Sequence, residues 1–157
     1  MMSQTGKLSC SVGEIHLHSE YDPEREAERF IENGQGGNKP SIIVLLGPCL
    51  DYLSPVLRKQ FPHALIASIQ FTPEFRGKEI GRADISWYPD SSMKLADFLS
   101  GILDPDLLAG CAIMVWPHSR RAFPQECEEA LHILHEVLDR EDASLATLRT
   151  FGKQWIR

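Results

Sequence analysis

Residues that could bind a ligand follow the first long apolar run of the sequence. The run Ile42–Leu46 leads into Gly47, Cys49, Asp51 and Tyr52, within the segment LLGPCLDY. A buried strand, a glycine turn and a helix begin the nucleotide-binding α/β domains, where the turn lets the backbone approach a phosphate. We therefore take Gly47, Cys49, Asp51 and Tyr52 as candidate ligand-binding residues.

The same turn lacks most of the glycines that such a site needs. A dinucleotide or S-adenosylmethionine loop requires several glycines, because side chains would keep the ligand away from the backbone. Pro48, Cys49, Leu50 and Asp51 fill most of those places. The sequence thus predicts a nucleotide-binding architecture without its binding chemistry, and we expect no cofactor.

Gln70 and two arginines extend the candidate ligand site. Gln70 follows the second apolar run, where nucleotide-binding folds usually carry an acidic residue that binds ribose hydroxyls, and a neutral amide is a weaker anchor. Arg120 and Arg121 follow a third apolar run and could pair with a phosphate or carboxylate. A solvated basic corner before a helix is the favoured interpretation of the arginines.

Aromatic residues near the second run offer a further surface. Phe71, Phe75, Trp87 and Tyr88 could form a wall for a base or a sugar. Aromatic residues in short apolar strands are more often part of the core, so core packing is the favoured interpretation.

Metal and nucleophilic chemistry are weakly indicated. His16 and His18 would share one face of a strand and could share a metal, but no third ligand is evident and a packed histidine pair is favoured. Cys49 precedes a helix N-terminus, where a thiolate is stabilised, yet no histidine or basic residue adjoins it in sequence. We therefore assign no metal ligand and no catalytic residue.

The elements that must position these residues follow from apolar periodicity and from turn residues. Strands that alternate with helices predict an α/β fold, a single Rossmann-like domain over residues 1–157 with a mostly parallel sheet flanked by helices. Residues 1–20 are predicted to form a β-hairpin arm around Gly13, and residues 145–157 a terminal helix. The other predicted strands are residues 42–46, 64–71, 84–88 and 111–116, and the other main helices begin at Pro23, at Leu50, at Asp90 or Ser91, and at Pro124.

Composition and charge exclude several classes of function. The net charge of −6 gives no basic signal for nucleic acid or an anionic membrane. The longest apolar runs are too short to cross a bilayer, and the N-terminus lacks the basic and apolar parts of a signal peptide, so we expect a cytoplasmic protein. The 4 cysteines contain no CxxC pair and are predicted to be free thiols.

Three segments carry a resemblance to one family. They are LHSEYDPEREAERFI (residues 17–31), IIVLLGPCLDYLSPVLRKQFP with ALIASIQFTPEF (residues 42–75) and TLRTFGKQWIR (residues 147–157). Together they resemble the N-terminal domain of the motility-associated-factor proteins, which are bacterial glycosyltransferase-like proteins related to archaeal-type 6-hydroxymethylpterin diphosphokinases. The family's G-G-GY turn keeps here only Gly47 and Tyr52.

The resemblance implies an accessory role. Family members continue past the position of Arg157 into a central domain in which the transferase chemistry is thought to reside. We therefore expect a non-catalytic Rossmann-like interaction domain that docks such a central domain, a separate protein partner or a second copy, through Leu148, Phe151, Trp155 and Ile156 of the terminal helix. The alternative is a transferase domain that binds a nucleotide, a nucleotide sugar or S-adenosylmethionine through the candidate residues above.

Overall fold

A parallel sheet with helices on both faces organises the molecule and confirms the predicted Rossmann-like α/β fold. The computed structural model describes residues 2–4, 6–33, 39–103, 110–140 and 149–151. The described strands are β1 Ser11–Val12, β2 Ile15–His16, β3 Ile42–Leu46, β4 Leu65–Ile69, β5 Ile85–Trp87, β6 Cys111–Val115 and β7 Arg149–Phe151. The described α-helices are α1 Pro23–Asn33, α2 Leu53–Gln60, α3 Leu95–Ile102, α4 Pro117–Ala122 and α5 Pro124–Arg140.

The described part of the main sheet has five parallel strands in the order β5-β4-β3-β6-β7. β3 lies at the centre and pairs with β4 on one side and with β6 on the other. The strand order therefore reverses between β3 and β6, which is where Rossmann folds place their ligand-binding crevice. All five residues of β3 are buried, as expected for a central strand covered by helices on both faces.

Alternate residues of β3 face two separate apolar cores. Ile42, Val44 and Leu46 pack in the core formed with α3 and α5. Ile43 and Leu45 pack in the core formed with α1 and α2. Successive residues at the end of a strand therefore point to opposite sides of the sheet, one toward α3 and α5 and the next toward α1 and α2.

The N-terminal arm forms the predicted β-hairpin. Strands β1 and β2 are antiparallel, with Ser11 opposite His16. The first helix begins at Pro23 as predicted, and the Asp22 carboxylate accepts a hydrogen bond of 3.1 Å from the backbone amide of Arg25. Asp22 therefore caps this helix through its side chain.

Two predicted elements are wrong in part. The third helix begins at Leu95, after extended Lys94, and not at a cap formed by Asp90 or Ser91. Asp90 instead accepts a hydrogen bond of 2.8 Å from Arg76. Within the predicted terminal helix, residues 149–151 instead form β7, which pairs in parallel with the edge of β6 that β3 leaves open.

The remainder of that predicted helix, including Leu148, Trp155 and Ile156, lies outside the described residues. None of the helices in the described part of the chain has the length and the apolar character needed to cross a bilayer.

Candidate functional site

The turn after β3 packs tightly against its own neighbours. Gly47 has a positive φ of 65°, which glycine adopts easily. A Cβ atom at this position would lie 2.6 Å from the ring of Phe71 and 2.7 Å from the Cβ of Ser119. Gly47 is therefore required by the packing of the turn against two later segments of the chain.

Gln70 holds the next part of the turn. Its side-chain amide donates to the backbone carbonyl of Cys49 at 2.8 Å and accepts from the backbone amide of Cys49 at 3.0 Å. Gln70 is fully buried, and Cys49 has a positive φ of 59°, which is uncommon for a residue other than glycine. The two bonds hold Cys49 in this backbone conformation and use both polar atoms of the Gln70 side chain.

The Cys49 thiol faces α4. Its Sγ lies 2.9 Å from the Oγ of Ser119, and the Ser119 hydroxyl also donates to the backbone carbonyl of Gly47. Burial raises the pKa of the Cys49 thiol to about 12, although the hydrogen bond with Ser119 acts in the opposite direction. The thiol is therefore protonated at neutral pH and lacks the thiolate that a nucleophile requires.

His18 supports the turn from the hairpin side. Its Nε2 accepts a hydrogen bond of 3.1 Å from the backbone amide of Leu50, and its ring stacks on Trp116 with 5.6 Å between centroids. Burial lowers the pKa of His18 to about 4. The ring is therefore neutral at pH 7, with Nδ1 carrying the proton, and Nδ1 has no partner among the described residues.

Asp51 and Tyr52 also form bonds within the chain. The buried Asp51 carboxylate accepts from the backbone amide of Ser54 at 2.9 Å and from the Ser54 hydroxyl, so it caps the start of α2. The Tyr52 hydroxyl donates to the backbone carbonyl of Leu8 in the N-terminal arm. Burial raises the pKa of the Asp51 carboxyl, while its hydrogen bonds with Ser54 act to lower it.

The two candidate arginines lie on a helix, α4, where a loop was predicted. Arg120 pairs with Glu128 at 3.1 Å, and Arg121 donates to Nδ1 of His118 at 2.7 Å. Because arginine only donates, neutral His118 must carry its proton on Nε2, which lies 2.8 Å from a carboxylate oxygen of Glu26. The basic corner therefore already has acidic and neutral partners within the chain.

The two candidate metal-ligating histidines have different surroundings. His16 is about half exposed and lies 3.0 Å from Glu20, whereas His18 is buried and bonded to the turn. In the described ranges, no cluster of three or more histidine, cysteine, aspartate or glutamate side chains has the arrangement of a metal site.

A cavity of about 510 Å³ lies between the carboxyl ends of β4 and β5 and the helices α3 and α5. Phe71 and Trp87 contribute to its wall, and Phe71 is also buried in the core beside α3 and α5, as the favoured core-packing interpretation predicted. Its charged residues are Lys94, Glu126 and Glu129. Phe75 lies elsewhere, in the core beside α1 and α2.

A second cavity, of about 290 Å³, lies on the opposite face of the sheet. Ser68 lines this cavity while its neighbour Ile69 lines the larger one, because successive strand residues point to opposite faces. Asp51, Glu79 and Tyr88 also line it. This cavity was not predicted from the sequence, because its residues come from four separate parts of the chain.

Sequence reasoning also missed the roles of Phe71 and Ser119 at the turn. One signal was present: residues that follow β6 must meet those that follow β3 if the two strands are neighbours.

No protein-family model, no curated protein and no solved structure matches the chain.

Proposed function

We propose that this chain is a non-catalytic, Rossmann-like accessory domain that docks a protein partner, in the manner implied by its resemblance to the motility-associated-factor proteins. One observation carries the proposal. The side-chain amide of Gln70 bonds both the backbone amide and the carbonyl of Cys49, in the crevice where the strand order reverses.

The hydrogen-bond donors of the turn support this proposal. A phosphate binds at a strand–turn–helix junction through free backbone amides and the positive end of the helix dipole. Here the amides of Cys49, Leu50 and Ser54 are bonded to Gln70, His18 and Asp51, respectively. The Asp51 carboxylate therefore already occupies an amide at the start of α2 that a phosphate would need.

Calorimetric titration tests whether the crevice binds a cofactor. We expect that none of ATP, UDP-glucose and S-adenosylmethionine binds in the crevice. Any saturable heat of binding should therefore leave the NMR signals of the Cys49 and Leu50 amides unchanged. Micromolar binding that shifts these two amides, and that is lost in Gln70→Ala, would contradict the proposal.

Docking is tested by analytical ultracentrifugation of the chain alone and together with a separately expressed central domain of a motility-associated-factor protein. We expect either a complex with that domain or a dimer of this chain. Met2 and Val12 in the N-terminal arm and Tyr21, which directly follows the arm, are exposed, so Tyr21→Ser should weaken a complex that uses this surface. If the chain sediments only as a monomer and forms no complex with the central domain, the result would contradict docking.

The larger cavity favours a second candidate function, the binding of a small molecule. Its Phe71 and Trp87 walls suit a flat apolar group, and its position at the carboxyl ends of parallel strands is typical of ligand sites. Glu126 and Glu129 outnumber Lys94 at this cavity, which disfavours phosphates. Among the three ligand classes considered, S-adenosylmethionine fits these charges best, because it carries a sulfonium cation and no phosphate.

Ala96→Leu tests this second candidate by filling the cavity from α3, because Ala96 lines it. Ser100→Leu is the matched control, since Ser100 is an exposed residue of the same helix and does not line the cavity. If the candidate is correct, S-adenosylmethionine should shift the indole signal of Trp87 in the parent chain and in Ser100→Leu, and should fail to do so in Ala96→Leu.

A further inference from the structure

The smaller cavity adjoins the turn through Asp51, which lines it, and has a different chemical character from the filled crevice. Its volume of about 290 Å³ exceeds that of one bound water by about tenfold, given a liquid volume of about 30 Å³ per water. Asp51 and Glu79 bring two carboxylates to it, and Ser68, Ser86 and Tyr88 bring hydroxyls. Arg82 is the one cationic side chain among the described residues that line it.

Ser68 supplies an independent observation that points to a ligand. The residue is 2% exposed, and its hydroxyl has no hydrogen-bond partner among the described residues. A buried polar group without a partner costs about 1–3 kcal/mol, so such groups are rare in native proteins. A bound molecule that donates to this hydroxyl would remove that cost.

The buried carboxylate at the same cavity favours a positive charge. Asp51 is 1% exposed, and besides the burial that raises its pKa, the negative charge of Glu79 raises it further. A carboxylate has about four acceptor positions; Ser54 fills one on each oxygen of Asp51, and the backbone amide of Leu53 is a third donor. Acceptor capacity therefore remains on a group whose ionised form is disfavoured by its surroundings.

The walls of the cavity are fixed before any ligand arrives. Gly81 donates to the backbone carbonyl of Asp51 at 3.0 Å, and a Cβ atom on Gly81 would lie 2.6 Å from that oxygen. Tyr88 donates its hydroxyl to the Glu79 carboxylate, which holds Glu79 in place. A preformed site loses less conformational entropy on binding than a flexible one.

We propose that this cavity binds a small organic molecule through a protonated primary amine. An ammonium group has three N–H donors and no acceptor, which matches in number the Asp51 and Glu79 carboxylates and the unpaired Ser68 hydroxyl. The volume suits an alkylammonium group with a short chain better than a bare ion. This inference does not depend on the proposed docking function, because the residues that close the crevice, Gln70 and Ser119, do not line this cavity.

An NMR titration of the full chain tests the proposal, with methylammonium and butylammonium chloride as probes. The backbone amides of Gly77, Gly81 and Ser86 should shift in a saturable manner. Tetramethylammonium chloride at the same ionic strength is the comparison probe, because it carries the same charge and has no N–H donor. It should produce no saturable shift at these amides.

Two variants locate the binding group. Glu79→Gln and Ser68→Ala should each weaken methylammonium binding by about tenfold, which is about 1.4 kcal/mol. Glu74→Gln is the matched control, because Glu74 is exposed and lies outside the lining of the cavity. Thermal melting of each variant confirms that it folds.

Three results would overturn the proposal: no saturable shift with any primary ammonium probe, equal shifts with tetramethylammonium, or equal weakening by Glu74→Gln and Glu79→Gln. Failure here is distinguishable from failure of the proposed function, since cofactor binding in the crevice is detected at the amides of Cys49 and Leu50.

Discussion

Two regions near the carboxyl half of the same sheet differ in how far the chain's own bonded side chains fill them. In the crevice between β3 and β6, the polar atoms of Gln70 and the backbone of Cys49 bond each other, and Ser119 bonds the same turn. In the smaller cavity beside β4 and β5, the Ser68 hydroxyl has no partner among the described residues and open volume remains. The crevice that usually binds a ligand in this fold is therefore occupied by the chain's own side chains, whereas the smaller cavity retains open volume.

The difference follows from the neighbours of each region. β3 is a central strand with a five-residue neighbour on each side, so side chains that follow both neighbours, Gln70 after β4 and Ser119 after β6, reach its turn. β5 has three residues and forms the described edge of the sheet, where the chain from Gly77 to Ala83 covers the face without filling it.

Gly47→Ala should give the largest loss of stability. The new Cβ would clash with Phe71 and Ser119, and alanine disfavours a φ of 65°, so we expect the free energy of unfolding to fall by about 4 kcal/mol. Gly77→Ala is the control, because Gly77 has a φ of 79° and open space at its Cβ position, and should cost about 1 kcal/mol. Urea unfolding measures both values, and equal losses would show that the turn is not tightly packed.

Acid should destabilise the protein through His18. The unfolded chain binds a proton at this residue near pH 6.5, whereas the folded chain resists protonation until about pH 4. Between these values the unfolded state binds more protons than the folded state. The contribution of His18 to the free energy of unfolding is therefore complete above pH 6.5 and is lost as the pH falls toward 4, a total loss of about 3 kcal/mol.

Urea unfolding from pH 7.5 to pH 4 measures this effect. His18→Gln, which keeps an acceptor for the Leu50 amide, should flatten the pH dependence, while His63→Gln, at an exposed histidine, should not. Identical pH profiles for the two variants would mean that His18 is not the residue that titrates.

Gln70→Leu should remove the two bonds that hold Cys49. It leaves a buried backbone amide and a buried carbonyl without partners, so we expect a loss of about 2 kcal/mol and faster hydrogen exchange at the Cys49 amide. Gln125→Leu on the exposed side of α5 should change stability by less than about 0.5 kcal/mol. Unchanged exchange at Cys49 would contradict the role assigned to Gln70.

Ser68→Ala should have the smallest effect on the free chain. It removes a buried hydroxyl that has no described partner, so stability should stay within about 0.5 kcal/mol of the parent or rise. Ser119→Ala, at an equally buried serine that bonds Gly47 and Cys49, should cost about 1 kcal/mol. A larger loss from Ser68→Ala would reveal a partner for this hydroxyl and would reverse the contrast between the two regions.

Most elements were predictable because their signals are local. The apolar run of β3, the Asp22 cap before Pro23 and the start of α5 at Pro124 each depend on residues within one turn of chain. The predicted cap at Asp90 was wrong, and the structure pairs that carboxylate with Arg76, fourteen positions earlier in the chain. Helix-capping propensity depends on a short window of sequence, so it does not account for a contact with a residue outside that window.

The sequence by itself determined the alternation of strands and helices, the position of the turn at Gly47 and its shortage of glycines. Only the tertiary structure decided what occupies that turn, since Gln70, His18 and Ser119 lie 21, 32 and 70 positions from the residues whose backbone or thiol they bond. The physical reason is that hydrogen bonds between buried groups depend on which segments the sheet brings together, and strand order is not encoded in any single window of the chain.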